Sequence, residues 1–344
     1  MIRFKASTIE SEHNGTVKLV RSLTTKRGRD VAGLFMVEGR RAVWDALACP
    51  EWTVRLILAC EGELAPLEGR LSGLGGRSVG PVYRLAEGLM RKVSEVGSPQ
   101  GIIAVLERRR RHLGEMAGGD IAYLDRVGDP GNVGAIVRTA EAAGMGGVIL
   151  AGGCADPYGG KAVRSSMGSV MRIPVEWAAS LLNGGAPHDR VGGVAEGRGA
   201  SRGVGASAAD ISMAAMDPVS TGPEASATGP DSASVGPDAS DADREGGDRG
   251  PEDGALETAL LGRLKGMGYR IGAAAVRGGR PYQEIGPSGR SVLVIGNEAH
   301  GVSAHVLGMC DALYTIPILG GAESLNAAVS ASILIYERVR GRTM

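Results

Sequence analysis

Three short segments of the sequence combine glycine with small polar residues, as expected where backbone must approach a ligand closely. They are GDPGNVGAIVRTA (128–140), GNEAHGVS (296–303) and PILGGAESLN (317–326). Their side chains include amides, a carboxylate, a hydroxyl and a guanidinium, which can orient and polarise a substrate: Asn132, Arg138, Glu298, Ser324 and Asn326. Neither a G-x-G-x-x-G fingerprint nor a G-x-x-x-x-G-K-[ST] loop occurs, so dehydrogenase and NTPase functions lose support.

Each of the three segments follows a predicted buried strand. These strands are IAYLDRV (121–127), SVLVIG (291–296) and ALYTIPI (312–318), and GVILAGG (147–153) and YRIGAAAV (269–276) complete the set. Predicted helices alternate with them at 132–144, 161–171, 255–268 and 325–342. This alternation predicts an α/β fold whose parallel sheet is covered by helices on both faces. Because ligands bind beyond the carboxyl ends of such strands, the three segments should share one site.

Residues 1–112, at the front of the chain, are predicted to form a separate small α/β unit. A basic amphipathic helix and loop at 17–30 precede a strand that Gly39 breaks, and a helix with an apolar face follows. Further short strands are predicted at 54–60, 81–85 and 101–107. The run of arginines from 108 to 111 ends the unit, as a domain boundary or only a solvated linker.

The segment from 183 to 254 differs in composition from the rest. It contains no Phe, Tyr, Trp or Leu and carries an imperfect repeat in TGPEASA, TGPDSAS and VGPDASD. Such a segment cannot bury enough apolar surface to offset its chain entropy, so it is predicted to be a disordered insert in a domain spanning 113–344.

Charge is divided unevenly along a chain with 38 basic and 38 acidic residues. The insert holds 5 Arg against 13 acidic residues, whereas residues 1–112 hold 19 Lys and Arg against 12 acidic residues. A basic front unit favours nucleic acid, and a solvated surface of mixed charge is the alternative. The acidic insert could moderate nonspecific RNA binding or could reflect neutral drift.

The sequence also predicts a cytoplasmic protein without a membrane span. It has no run of 18 apolar residues, and its start, MIRFKASTIESEHNG, has no apolar signal-peptide core. Its four cysteines lie far apart without a C-x-x-C pair, so a disulfide framework and an ordinary zinc knuckle are excluded.

Taken in order, the three segments resemble the SpoU (TrmH-type) branch of the SPOUT RNA 2′-O-ribose methyltransferases. The matching motifs are NVGAIVRTA, IGNEAHGVS and IPILGGAESLNAAVSASI, and the resemblance covers residues 113–182 and 255–344. In the front unit, FMVEGRRAVWDAL and SPQGIIAVL look like that family's RNA-binding accessory domain. The resemblance implies methylation of a ribose 2′-OH in structured RNA, with ribosomal RNA as the first expectation and transfer RNA as an alternative.

For the fold and the cofactor, the resemblance implies a C-terminal deep trefoil knot that binds S-adenosylmethionine largely through backbone groups. Carried over by position, the cofactor residues are Gly296, Ile316 and Leu325, followed by Asn297, Leu150 and Gly152. It also implies a homodimer with the active site near the subunit interface. Helix 325–342 could then form the dimer surface, or its apolar face could cover its own sheet.

For catalysis, the resemblance assigns activation of the 2′-hydroxyl to Arg138. A guanidinium in water stays protonated, so Arg138 would act through its charge, unless it only braces carbonyls or a phosphate. Asn132 could hold Arg138 or the ribose, or N-cap its helix. Glu298 could pair with Arg138, orient a substrate group, or be a surface carboxylate. Ser324 and Asn326 could bind ribose and cofactor, or N-cap helix 325–342.

Other site assignments remain open from the sequence. Arg164 could reach a substrate phosphate. His300 and His305 near Glu298 lack the H-E-x-x-H spacing, and the reaction needs no metal, so no metal site is expected. A catalytically silent RNA-binding module and a Rossmann-type small-molecule methyltransferase are the competing functions, and the latter leaves the NVGAIVRTA and SLN motifs unexplained.

Overall fold

The computed structural model describes residues 4–74, 78–182 and 251–340. The front unit contains five strands: β1 (Phe4–Ile9), β2 (Leu34–Glu38), β3 (Val54–Ala59), β4 (Val82–Leu85) and β5 (Ile102–Glu107). Its helices are α1 (Gly15–Ser22), α2 (Lys26–Ala32), α3 (Arg40–Ala48), α4 (Glu61–Ser72) and α5 (Glu87–Val93). The four predicted front strands are present, whereas β1, α4 and α5 were not predicted.

The front sheet has the order β1-β4-β3-β5-β2 and is mixed. Strand β5 runs antiparallel to both β2 and β3, while β4 runs parallel to β1 and β3. Alternation of strand and helix therefore does not make this sheet wholly parallel. The predicted break at Gly39 is confirmed, because Gly39 takes φ 94° immediately before α3.

The second unit is built on a seven-stranded sheet. Its strands are β6 (Ile121–Asp125), β7 (Gly147–Leu150), β8 (Val175–Trp177), β9 (Tyr269–Ala274), β10 (Arg280–Pro281), β11 (Arg290–Gly296) and β12 (Ala312–Thr315). Its helices are α6 (Leu113–Met116), α7 (Pro130–Ala142), α8 (Gly160–Ser166), α9 (Ala178–Leu182), α10 (Pro251–Gly266), α11 (Ala304–Leu307) and α12 (Ala327–Arg340). The order is β10-β12-β9-β11-β6-β7-β8, and every neighbouring pair is parallel, which confirms the predicted parallel sheet.

Two predicted boundaries in this unit are corrected. Residues 183–250 of the predicted insert lie outside the described residues, but residues 251–254 belong to α10. Helix α10 therefore begins at Pro251, a residue whose fixed φ suits the first helical position. Helix α12 begins at Ala327 rather than at 325, because the side chain of Asn326 accepts hydrogen bonds from the next helical amides.

The two sheets share a buried junction. Phe35 and Trp52 from the front unit pack in one apolar core with Tyr158 from the second, and Trp52 Nε1 donates to the carbonyl of Met171 at 2.8 Å. Arg29 of α2, 4% exposed, forms an ion pair with Asp156 at 2.7 Å. The apolar contacts and the buried ion pair join both units into one folded body.

The arginine run at 108–111 is only in part a solvated linker. Arg111 is buried, lies over the ring of Trp52 and pairs with Glu115 at 2.9 Å. Arg108 pairs with Asp30 of the front unit. These residues therefore stabilise the junction between the units.

The outer helices of the second sheet complete its cover. Ala327, Ala331, Leu334 and Ile335 on one face of α12 lie in the core, so this helix covers its own sheet. Within the described ranges, no helix is long and apolar enough to cross a bilayer.

Candidate active site

The first loop is organised by two aspartates at the carboxyl end of β6. Asp125 is 0% exposed, and its Oδ2 accepts a hydrogen bond from the amide of Ser303 at 2.6 Å. Asp129 is the N-cap of α7, because its Oδ1 accepts from the amide of Asn132 at 2.8 Å. The suggested N-cap role of Asn132 is therefore wrong, and its side chain is available for other contacts.

Asp129 is also tied to α8, since Lys161 Nζ lies 2.6 Å from its Oδ2. Burial alone would raise the pKa of Asp129. The hydrogen bonds from Lys161 and from the amides of Asn132 and Gly131 outweigh burial and hold the pKa below its usual value.

The second loop closes tightly on itself. Asn297 exchanges backbone hydrogen bonds with Gly301 at 3.0 and 2.9 Å, and its Oδ1 accepts from the amides of Ala299 and His300. Asn297 Nδ2 donates to the carbonyl of Arg126 at 2.8 Å. Asn297, which was predicted to contact the cofactor, therefore fixes the loop against the end of β6.

Close backbone packing within the protein itself requires a glycine at position 296. A Cβ at this position would lie 2.4 Å from the carbonyl carbon of Gly301 and from the nitrogen of Val302. Close packing of the second loop therefore explains this glycine without any ligand. A similar argument applies to Gly134 of α7, where a Cβ would lie 2.3 Å from the carbonyl oxygen of Ala162.

The three predicted segments meet through their side chains. Asn132 Nδ2 donates to Glu298 Oε1 at 2.7 Å, and Asn326 Nδ2 donates to Asn132 Oδ1 at 2.9 Å. Because Asn326 also accepts from the amides of Ala328 and Val329, the chain of contacts ends in a helix N-terminus. We call Asn326, Asn132 and Glu298 the polar bridge.

The polar bridge corrects three predicted contacts. Glu298 bonds to Asn132 and forms no ion pair with Arg138 in the described structure. Asn326 caps α12, whereas Ser324 lies two residues too early and is exposed. Arg138 is exposed on α7 and has no ion pair or side-chain hydrogen bond to any described residue, so a role in bracing carbonyls finds no support.

The predicted cofactor positions lie along the same edge. Gly296 is the last residue of β11 and pairs with Asp125 of β6. Leu150 is the last residue of β7 and pairs with Leu124 of β6, so the two residues lie on either side of β6. Ile316 directly follows β12, and Leu325 lies half-buried before α12. The amide of Gly152 donates to Glu257 Oε1 at 2.8 Å, so this amide is already engaged within the protein.

The third loop leaves its backbone polar groups open. Among the described residues, no backbone group between 316 and 325 is hydrogen-bonded to another backbone group. Leu319 in this loop is 96% exposed. Unpaired amides and carbonyls beside half-buried apolar side chains fit a ligand that is bound largely through backbone.

Sequence reasoning missed a buried polar network behind the loops. Glu257 of α10 is buried, and its Oε2 lies 2.6 Å from His305 Nε2, while Asp125 holds Ser303. Burial raises the pKa of Tyr123 and raises the pKa of Cys154 to about 12. Glu257 belongs to no motif, and only the packing of α10 on the sheet reveals it.

Other predicted polar groups are placed as follows. Arg164 pairs with Glu95 of the front unit at 3.2 Å instead of being free for a phosphate. His300 Nδ1 lies 3.1 Å from Asn297 Oδ1, and His305 contacts Glu257 rather than Glu298. No group of three His, Cys, Asp or Glu side chains suited to a metal ion occurs in the described parts of the chain.

Two family models match the chain. The SpoU rRNA Methylase family matches residues 121–184 and 256–336, and the MRM3-like substrate binding domain matches residues 14–104. The 23S rRNA guanosine 2′-O-methyltransferase RlmP of Bacillus subtilis is 28% identical over 95% of this chain and 97% of its own length. A 23S rRNA uridine 2′-O-methyltransferase of Streptomyces viridochromogenes is 28% identical over 93% of this chain and 87% of its own length.

Solved structures show the same architecture. An AdoMet-bound rRNA methyltransferase from Sinorhizobium meliloti superposes with a TM-score of 0.66 at 25% identity, covering 97% of this chain and 98% of that one. The SpoU methyltransferase AviRb from Streptomyces viridochromogenes, in complex with AdoMet, gives a TM-score of 0.66 at 24% identity. The match covers 96% of this chain and 99% of that one. The second likeness shows the fold alone.

Proposed function

The chain belongs to the SpoU family of RNA methylases, and from this membership we propose that it methylates a ribose 2′-OH of large-subunit ribosomal RNA. S-adenosylmethionine is the methyl donor. The observation that carries the proposal is the polar bridge, which joins three loops distant in sequence. Its central residue, Asn132, lies on α7, the helix that also carries the exposed Arg138.

The residues present fit S-adenosylmethionine. The open backbone of residues 316–325 offers amides and carbonyls to the cofactor, and Ile316 and Leu325 offer half-buried apolar contacts. Leu150 is the last residue of β7, which pairs with β6 on the side away from β11. Gly296 and Asn297 support this site indirectly, because they shape the loop that adjoins it.

The chain's own residues then align the ribose and help to remove one proton. When bound, the cofactor supplies a methyl group on a positively charged sulfur. A guanidinium in water keeps its charge, so Arg138 would lower the pKa of the 2′-hydroxyl through that charge, and the released proton would pass to solvent water. Asn132, held from both sides in the polar bridge, offers a fixed amide next to the reacting ribose, and Ser324 offers an exposed hydroxyl.

We also propose the trefoil knot that the family resemblance implies. From β9 the chain passes first to β10 at the sheet edge beyond β12, then returns across to β11 on the other side of β9, and finally enters β12 between β10 and β9. The link between β11 and β12 contains the loop that packs against Gly296 and is fastened to Asp125. This crossing and these contacts support a chain threaded through itself at the carboxyl edge of the sheet.

The proposed assembly is a homodimer. Val329 and Tyr336, seven residues apart on the outer face of α12, are 47% and 52% exposed. Helix α12 contacts α7 through a hydrogen bond between Ser332 and Thr139, the residue that follows Arg138. We therefore expect Tyr336→Glu to convert a dimer to a monomer in light scattering, and a dimeric variant would contradict this surface.

The front unit is proposed to bind RNA, in line with its basic charge and its match to a substrate-binding domain. The cytoplasm is the proposed compartment, because none of the four cysteines forms a disulfide, as expected in a reducing environment.

The test of the proposed activity uses purified protein, methyl-labelled S-adenosylmethionine and ribosomal RNA. After digestion to nucleosides, we expect the label in a 2′-O-methylnucleoside. Label in a methylated base, or binding of RNA without binding of the cofactor, would contradict the proposal.

A further inference from the structure

A pocket lies at the junction of the two units, away from the polar bridge. It has a volume of about 440 Å³, within the range of ~300–1,000 Å³ that small-ligand pockets occupy. The front unit lines it with the end of β2, the start of α3 and residues 95–100, and the second unit lines it with α8. Neither unit forms this pocket alone.

Apolar side chains form part of the wall of this junction pocket. Met36 and Ala42 from the front unit and Val163 and Met167 from the second all line it. Met167 is 39% exposed and takes φ 49°, a left-handed conformation that is uncommon for residues other than glycine. A methionine held in this conformation beside a cavity provides an adaptable apolar surface for a flat ring.

The polar groups of the junction pocket are held in place by the surrounding structure. Gln100 Oε1 accepts from the amide of Arg40 at 2.9 Å, which fixes the side-chain amide. Glu95 pairs with Arg164 at 3.2 Å and its amide donates to Glu38. Fixed amide and carboxylate groups beside apolar side chains match the donors and acceptors on the edge of a nucleobase.

The junction pocket also has a free cation. Arg41 lines it, is exposed, and has no ion-pair partner among the described residues. Because other arginines near the junction are paired, Arg41 is the pocket residue best placed to bind a backbone phosphate.

Helix α8 connects the junction pocket to the candidate active site. Its residues Gly160 and Arg164 line the pocket. On the same helix, Lys161 contacts Asp129 at 2.6 Å and Ser165 Oγ donates to the carbonyl of Gly131 at 2.7 Å. A nucleotide chain that reaches the first loop can therefore also reach the pocket.

We propose that the junction pocket binds an unpaired nucleoside of the RNA substrate, close in the chain to the methylated nucleotide, and thereby selects the site of methylation. This inference rests on the proposed RNA methylase function. An unstacked base would contact Met36 and Ala42 from one unit and Val163 and Met167 from the other. Its phosphate would contact Arg41.

The test uses the full protein and an in vitro transcript of large-subunit ribosomal RNA. Ala42→Trp fills the pocket and Arg41→Ala removes the cation. Arg70→Ala removes an exposed arginine elsewhere in the front unit that has no ion pair with any described residue. We expect Ala42→Trp to weaken RNA binding by about tenfold or more, the scale of one lost base-stacking contact. Arg41→Ala should lower the slope of log affinity against log salt by about one, whereas Arg70→Ala should not.

Chemical probing of the RNA gives an independent readout. One unpaired nucleoside should be protected by wild-type protein and by Arg70→Ala, and should become reactive with Ala42→Trp. Melting temperature and cofactor affinity should match wild type, which shows that Ala42→Trp folds. If both pocket variants bind the transcript like wild type, or if the protection pattern does not change, the inference is wrong.

The inference and the proposed function can fail separately. If pocket variants lose RNA affinity but wild-type protein methylates no ribose, the pocket is supported and the proposed activity falls. If wild-type protein methylates ribose and the pocket variants keep both affinity and protection, the activity stands and the pocket assignment falls.

Discussion

At the scale of single residues, Arg138 is the charged group of the candidate site that the described structure leaves without a partner. We expect Arg138→Ala to reduce methyl transfer by at least about a hundredfold, the scale of one lost electrostatic or acid–base contribution. Cofactor affinity and melting temperature should change little, because no ion pair or side-chain hydrogen bond within the described structure is lost. Turnover, cofactor dissociation constant and melting temperature are measured on the same variant.

Arg138→Lys is the matched control for this prediction. It should recover only part of the activity, because an ammonium cannot reproduce the planar fork of a guanidinium. An Arg138→Ala protein that folds, binds cofactor and still methylates at nearly the wild-type rate would remove Arg138 from the mechanism.

Asn132 and Asn326 differ in what they do for stability, although both belong to the polar bridge. Asn326→Ala should lower the free energy of unfolding by about 1 kcal/mol, because it removes the N-cap of α12. Asn132→Ala removes no cap, since Asp129 caps α7. Urea denaturation of both variants should show this asymmetry.

The same two substitutions should reduce activity through loss of the same interaction. Each breaks the polar bridge, so the losses in kcat/KM should be clearly less than additive in the double variant. Fully additive losses would mean that the two amides act independently and that the bridge has no catalytic role.

At the scale of elements, the stability of the start of α7 should depend on pH through the ionisation of Asp129. Its pKa is lower in the folded protein than in the unfolded chain, so the ionised carboxylate stabilises the fold above about pH 4. This stabilisation is lost as pH falls through the folded-state pKa. Asp129→Asn keeps a good N-cap and removes the charge, so it isolates the effect.

We therefore expect wild type to be more stable than Asp129→Asn at pH 7, and the difference to shrink as pH falls below about 4. Urea denaturation at several pH values measures it. A difference that stays constant or grows at low pH would show that the charge of Asp129 does not stabilise α7.

The sequence predicted elements better than the contacts between them. Apolar runs identified β6, β11 and β12. Strands β6 and β11 are buried in the parallel sheet, where a strand reads as a continuous apolar segment, whereas β12 is only half-buried. The role of Gly134 could not be predicted, because it depends on the carbonyl of Ala162 in a different helix. The start of α12 was placed two residues early, because Ser324 and Asn326 have equally good capping side chains and only the fold selects Asn326.

The sequence predicted which residues form the candidate site but not the hydrogen bonds between them. Asn132, Glu298 and Asn326 were chosen from sequence, yet their contacts join residues 166 and 194 positions apart. Glu257 was missed because a single glutamate in a helix has no signal in its spacing. Resemblance to a family supplies residue types, whereas the pairing of side chains needs the fold.

At the scale of the whole molecule, the two units should unfold together. Arg29→Ala leaves Asp156 buried without its cation, so we expect a loss of about 3–5 kcal/mol in unfolding free energy. Arg21→Ala, which removes an exposed pair with Glu12, should change the free energy of unfolding far less, because solvent screens exposed ion pairs. Denaturation followed by tryptophan fluorescence and circular dichroism should give one coincident transition for both variants.

Two separate transitions, or equal losses for Arg29→Ala and Arg21→Ala, would contradict a shared core. The units would then be independent bodies, and the junction pocket would not be a fixed site.

The central claim, methylation of a ribose in large-subunit ribosomal RNA, is tested most directly by mapping 2′-O-methyl groups at nucleotide resolution. Ribosomal RNA is compared between cells with and without the gene, and RNA from the deletion strain is then incubated with purified protein and S-adenosylmethionine. We predict that one ribose methyl group disappears on deletion and returns at the same nucleotide after incubation. An unchanged map, or a methyl group that returns on a base instead of a ribose, would contradict the account.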